Sequence, residues 1–256
     1  MEVIEKKANQ LAELQISMSH AITRASHGLT LVEKRIVAMF IAKFDSTKQR
    51  KIMDRVIPIK DATIRITAKE YSETFDIDIK TAYRDLIKGT DQFFERYWRV
   101  VQDTPKGKKE FKFNWLEGVI YHHGEGWVEA TFGQQTIPHL VFSLKDQYTK
   151  YKLKSTVALT GTYAWRLWEL LAQFANTKKP ANEERLVRIS LADFRYSMDA
   201  PESYKYSQVR QKIIEPAVKQ IKDNNEIDVT WRAIKKGRSV ESLEFKFKPA
   251  EQLNLF

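Results

Sequence analysis

Three knots of positive charge stand in the second half of the sequence. They are Lys150, Lys152 and Lys154; Lys205, Arg210 and Lys212; and Lys235, Lys236 and Arg238. Ammonium and guanidinium groups at this density suit a polyanion. Arg and Lys can also fork onto guanine O6 and N7, and Gln onto adenine, so Lys205, Tyr206, Ser207, Gln208, Arg210, Gln211 and Lys212 together carry the groups needed to read base edges. Lys235, Lys236 and Arg238 surround a glycine and suit phosphates. The balance over the whole chain agrees: 43 Lys and Arg against 33 Asp and Glu give +10. Residues 131–256 hold 21 basic and 14 acidic residues, and residues 1–130 hold 22 and 19. The excess is therefore concentrated in the second half.

Other chemistries find less support. With no cysteine among 256 residues, disulfides, thiolate metal sites and thiol catalysis are excluded. His122 and His123 are adjacent, so on a strand they point to opposite sides and share a metal poorly. No phosphate-binding glycine loop and no serine nucleophile elbow occur. Trp98, Trp115, Trp127 and Trp231 read as core residues rather than base-stacking platforms. The expectation is a protein without catalysis, cofactor or metal. No apolar run nears the roughly 20 residues of a membrane-spanning helix. The opening Met-Glu-Val-Ile-Glu-Lys-Lys is not a secretory signal, so a cytosolic protein is expected, with no membrane partner.

The elements that must position the basic groups can be read from apolar rhythm and capping residues. Residues 1–16 read as a loosely packed lead. Leu31 to Phe44 has helical spacing at Val32, Ile36, Met39, Phe40 and Lys43, with Thr30 and Glu33 as a capping box. Residues 45–60 read as a loop. Ile64 to Ile66 is a short strand, and Thr67 with Glu70 caps a helix to Phe75. After a break at 76–78, a longer helix runs from Lys80 to Phe94. Strands near Arg99–Val101 and Phe111–Phe113 flank Pro105-Lys-Gly-Lys-Lys109, which is hairpin chemistry. Helix, strand, helix, helix and basic-tipped hairpin is the layout of a winged helix. Further strands are expected at 119–121, 127–132 and 139–142.

The second half repeats that plan. A helix spans Thr162 to Phe174, and Leu186 to Ile189 is a strand. Ser190, with Asp193, caps a short helix to Met198, and 199–203 is a turn. A long helix runs from Ser207 to Asn224, with Pro216 as an expected kink. Ile227 to Trp231 and Ser242 to Lys248 are strands joined by a turn at 234–238. The long helix must bury Val209, Ile213, Ala217 and Ile221. That turns residues 205–212 outward, and 235–238 forms the wing. The corresponding helix of the first half offers Lys80, Arg84 and Lys88, offset by Asp78, Asp85 and Asp91. The fold class is α+β, with two tandem winged-helix domains related by pseudo-symmetry.

Several segments, in this order and spacing, resemble the RepE-like initiators of iteron plasmids, over about residues 24–248. They are Leu29–Arg35 (LTLVEKR), Tyr148–Ser155 (YTKYKLKS), Tyr163–Leu171 (YAWRLWELL), Val209–Ile221 (VRQKIIEPAVKQI), and Lys235–Arg238 ahead of a Phe-rich strand. Trp165 and Trp168 stand where tyrosine or another apolar residue is common, at core positions. The resemblance implies monomers that bind directly repeated double-stranded iterons at a plasmid origin and start theta replication. It implies dimers that repress the protein's own gene and so take part in copy control. It implies self-association mainly through the first domain and iteron contact mainly through the second. Host partners would include an initiator protein and a helicase. The organisation expected is a flexible lead over 1–24, a dimerising winged helix with auxiliary DNA contact over 25–143, a linker over 144–154, the main DNA-binding winged helix over 155–248, and a tail over 249–256. Candidate DNA contacts are residues 205–208, 210–212, Lys235, Lys236 and Arg238, with Lys80, Arg84, Lys152 and Lys154 in support.

In the tail, Gln252, Leu253, Asn254, Leu255 and Phe256 resemble the QL(S/D)LF peptide that docks into bacterial sliding clamps. Leu and Phe anchors and a Gln for register fit that role for Gln252, Leu253, Leu255 and Phe256. Two rival readings remain: a winged-helix transcriptional repressor with no initiator role, and a nuclease or nicking enzyme acting on DNA.

Overall fold

The computed structural model describes residues 10–44, 59–141, 148–175, 183–225 and 227–249. Helix α1 covers His20–Arg24 and α2 Leu31–Phe44. Thr30 and Glu33 close the expected box around the start of α2: the Thr30 amide donates to the Glu33 carboxylate at 2.6 Å and the Glu33 amide to the Thr30 hydroxyl at 3.3 Å. Ile36 to Phe40 are all buried, so α2 is a central helix rather than an amphipathic one. After α3 (Ile59–Ala62), strand β2 (Thr63–Thr67) leads through a Thr67/Glu70 capping box into α4 (Ala68–Phe75). Asp76 ends α4 in the left-handed region, and Asp78 caps α5 (Ile79–Phe94). Gly89 of α5 is required by a close approach. A Cβ there would lie 2.6 Å from both Ile36 Cδ1 and Val32 Cγ1 of α2.

The wing of this first motif is not the hairpin that its basic tip suggests. Strands β3 (Tyr97–Thr104) and β4 (Gly107–Asn114) form a separate two-stranded sheet. Strands β5 (Leu116–His122) and β6 (Trp127–Phe132) instead join β2 in the order β2-β6-β5, all antiparallel. The reason is burial. On β6, Val128, Ala130 and Phe132 alternate into the core, whereas β4 is exposed along most of its length. The true wing tip, His123-Gly-Glu-Gly126, carries Glu125 and no basic residue. Residues 139–142 were expected as a strand. Residues 137–140 form α6 (Ile137–Leu140), with Pro138 in its first turn, where a missing amide is harmless.

A second correction concerns the expected lead and linker. Gln15–Ser19 is strand β1 and Tyr148–Lys152 is strand β7, and they pair antiparallel from Gln15↔Lys152 to Ser19↔Tyr148. Ile16, Met18, Thr149 and Tyr151 are buried, and β1 packs on α2. Burial of these side chains, together with the ladder between segments some 130 residues apart, is what fixes both. Neither is a loose tether over these residues.

Beyond α7 (Lys154–Val157), the second motif follows its plan without an inserted hairpin. Helix α8 (Thr162–Ala175) precedes β8 (Arg185–Ser190) and α9 (Leu191–Ser197), which Ser190 caps. Then come α10 (Tyr206–Val209), a π turn over Arg210–Ile214 and α11 (Glu215–Asn225), followed by β9 (Thr230–Lys236) and β10 (Ser239–Phe247). The strand order β8-β10-β9 repeats β2-β6-β5. Strand β9 begins at Thr230 rather than Ile227. The 234–238 turn shrinks to Gly237 and Arg238, with Gly237 at φ 63°.

Candidate nucleic-acid interface

The helix expected to run unbroken from 207 to 224 has a built-in irregularity where its charged residues lie. Its apolar residues Val209, Ile213, Ala217 and Ile221 recur every four residues. A regular helix turns every 3.6, so that row drifts by about 40° per step. One wider π turn absorbs the drift, and all four side chains are buried together with Ile214 and Val218. Pro216 supplies the local cause. It has no amide for the Lys212 carbonyl, and its ring crowds that carbonyl. The Glu215 amide accordingly bonds the Arg210 carbonyl five residues back. The expected kink is thus a π turn just ahead of the proline.

With those side chains inward, Lys205, Ser207, Arg210, Gln211 and Lys212 are exposed, as their expected role requires. Two members of the set are partly spent on the fold. The Gln208 side-chain oxygen Oε1 accepts from the Lys205 backbone amide at 2.9 Å and so closes the start of α10. The Tyr206 ring packs against the core, and burial pushes its hydroxyl pKa up. Two cations have partners. Arg210 pairs with Glu215 at 2.9 Å, both about half exposed, and the Lys212 ammonium lies 5.0 Å from the centre of the Tyr204 ring. At the wing, Lys235, Lys236 and Arg238 are all exposed beside Gly237, with Lys236 3.6 Å from Glu241. Behind the tip, Arg232 of β9 and Arg188 of β8 both bond the single carboxylate of Glu244, at 2.6 and 2.8 Å. These hydrogen bonds, Arg232 first, hold Glu244 below the usual carboxylate range. The two arginines add a net positive charge that the sequence reading did not single out.

The corresponding face of the first motif is nearly neutral. Asp78 accepts from the Lys80 and Thr81 amides at 3.0 Å each, and its carboxyl is held low, first by the Thr81 side chain. Lys80 is exposed, and Arg84 donates to Asp85 at 3.0 Å. The Tyr83 hydroxyl donates to the His123 carbonyl at 3.0 Å and ties α5 to the wing tip. Lys152 and Lys154 both bond Glu13, at 3.0 and 2.8 Å, and their ammonium groups hold Glu13 below its usual range. The structure therefore places 205–212 on the reading helix and 235–238 at the β9–β10 turn of the second motif, gives Lys80 and Arg84 to the first, and leaves Lys152 and Lys154 on the β1–β7 element. His122 stacks on Trp127 and His123 lies against Tyr121, so the two rings diverge. Among the described residues no helix is long and apolar enough to cross a membrane. The tail residues Gln252, Leu253, Leu255 and Phe256 lie outside the described residues.

Residues 15–172 match the family described as "Initiator Replication protein, WH1" and residues 190–247 the one described as "Initiator Rep protein, WH2". An uncharacterized 27.6 kDa protein of Escherichia coli is 22% identical over 243 residues, which cover 93% of this chain and 97% of that protein. Among solved structures, the Pi initiator protein in complex with iteron DNA is similar, with a TM-score of 0.72 and 19% identity. The match covers 94% of this chain and 99% of that one.

Proposed function

This chain belongs to the initiator replication protein family, and on that footing we propose that it starts plasmid replication by binding directly repeated duplex DNA at an origin. One observation supports this most. In the second motif, Lys205, Arg210, Gln211 and Lys212 at and along the start of the reading helix are all exposed, and so are Lys235, Lys236 and Arg238 at the β9–β10 turn. The helix, lying in the major groove, reads bases, and the wing grips phosphates. The first motif, with Lys80, Arg84 and Lys88 against Asp78, Asp85 and Asp91, makes the weaker auxiliary contact. Lys152 and Lys154 contribute only by exchanging Glu13 for phosphate.

Self-association, which accompanies repression of the protein's own gene, runs through the first domain. The β3–β4 hairpin supports this, because apart from the single Ser26–Arg99 bridge it pairs with no third strand among the described residues, and it exposes Tyr97 and Val101. Host initiator and helicase join at the origin, and the 252–256 tail docks a sliding clamp. The protein acts on cytoplasmic plasmid DNA and performs no catalysis of its own.

The test is complementation. A plasmid carrying the repeats but lacking this gene is maintained when the protein is supplied in trans. It is lost when the supplied protein carries Arg210→Ala with Lys235→Ala. Repression of a promoter without plasmid maintenance would instead establish a plain repressor. Nicking of the origin by the purified chain would establish an enzyme.

A further inference from the structure

The turn that launches the second reading helix is held by the first domain. Asp199 sits between α9 and α10 at φ 50°, the left-handed region that a non-glycine residue enters at a cost. Its carboxylate gathers contacts from a segment more than 170 residues earlier. One oxygen accepts the Ser26 hydroxyl. The other accepts the His27 and Gly28 amides at 3.3 and 3.0 Å. That second oxygen also pairs with the buried Arg166 of α8 at 2.9 Å. Arg166 donates onward to the Ala25 carbonyl at 2.7 Å and to the Ser197 carbonyl at the end of α9.

A second link runs alongside. The Tyr196 hydroxyl of α9 donates to the Arg99 carbonyl of β3 at 2.7 Å, and the Arg99 amide donates to the Ser26 carbonyl at 2.9 Å. So the 25–28 segment lies between the inserted β3–β4 hairpin and the helix-turn-helix of the second motif. A carboxylate accepting this many donors is not needed merely to form a turn. Backbone bonds from Asp199 to Tyr196 and from Ala200 to Arg195 already close it.

We infer that Asp199 is a positioning residue for DNA reading: it locks the turn ahead of α10 to residues 26–28, and so fixes the spacing and angle between the two reading faces. The inference rests on the proposed DNA reading. Its consequence is that the two motifs meet DNA as one rigid body. A change in the β3–β4 hairpin also reaches the second reading helix through Ser26 and Tyr196.

The chain has no cysteine, so Lys88→Cys on α5 and Lys219→Cys on α11 give a clean pair of spin labels, one per motif, on the full chain. The unmodified junction is expected to give one narrow distance distribution. Asp199→Gly keeps the positive φ at no strain but removes every carboxylate contact. It is expected at least to double the width, with Asp199→Asn in between. If Asp199→Gly does not fold, Ser26→Ala with Tyr196→Phe strips two of the first-domain contacts and carries the same expectation.

The second readout is affinity for repeat DNA with two base pairs inserted between the segments the two motifs cover. The parent chain is expected to lose tenfold or more on insertion, and Asp199→Gly less than threefold. An unchanged distance distribution, or unchanged discrimination against the inserted spacing, overturns the inference. Failure of the parent chain to bind the repeat overturns the DNA-reading proposal instead, and leaves the distance measurement to decide whether Asp199 locks the junction.

Discussion

Arg210 offers the sharpest test of the reading helix, because it already has a partner. It pairs with Glu215 at 2.9 Å, both about half exposed. Such a pair is worth about 0.2–1 kcal/mol. A good Arg fork on guanine is worth about 1–3 kcal/mol. Binding therefore exchanges the first for the second. Arg210→Ala should weaken binding by the difference, about 1–2 kcal/mol, which is about 5- to 30-fold. Glu215→Gln should act the other way: it frees the guanidinium and removes a negative charge beside the phosphates. Affinity should rise by about 1.4- to 5-fold. Arg210→Ala made in the Glu215→Gln background should then cost more than it does in the parent. Fluorescence anisotropy with repeat and scrambled duplexes at one fixed salt concentration reads all four corners of this cycle. A Glu215→Gln chain that binds more weakly than the parent, together with an Arg210→Ala loss under twofold, would refute the assignment.

The remaining predictions concern the wing and the frame. Lys235→Ala should weaken repeat and scrambled duplexes alike and lower the slope of log affinity against log salt by about 0.9, measured by salt titration. Gly89→Ala gains about 1 kcal/mol of helix propensity. It also drives a Cβ to 2.6 Å from Val32 and Ile36, and overpacking of about 1–3 kcal/mol should win, lowering the urea midpoint. Glu169→Leu leaves Lys34 buried without the carboxylate that now lies 2.7 Å from it, and should destabilise by about 3–5 kcal/mol. Adding Lys34→Met should recover much of that loss. Burial lowers the pKa of His20, His27 and His139 below the usual histidine range. Below about pH 6.5 the unfolded chain thus binds protons that the folded chain does not. Stability should be level from about pH 7 to 8 and fall between pH 7 and 5, where the lowered carboxylates of Glu13, Asp78 and Glu244 do not yet contribute. A urea midpoint that is flat across that window would contradict the burial of these rings.

The two helix-turn-helix cores were legible because their signals are local. Thr30/Glu33, Thr67/Glu70 and Ser190 mark helix starts within three residues, and the rhythm from Val209 to Ile221 marks a buried face. What failed was non-local. The basic tip at 106–109 drew the wing assignment to β3–β4, although only pairing with β2, some 60 residues distant, decides which hairpin completes the sheet. Strands β1 and β7 are five residues each, and their stability comes from each other. Pro216 announced an irregularity, but a π turn and a kink leave the same trace in sequence. Arg166 and Asp199 carried one weak hint, a charge inside the apolar stretch of α8; their partners at 25–28 cannot be found from spacing.

The central claim is that this family member recognises repeated DNA through the second motif, and a footprint on its own plasmid origin tests it most directly. At physiological salt with competitor DNA, protection is expected at even intervals over direct repeats, and it should vanish in the Arg210→Ala, Lys235→Ala chain. Protection confined to one inverted repeat at a promoter, or no sequence-specific protection, would contradict it.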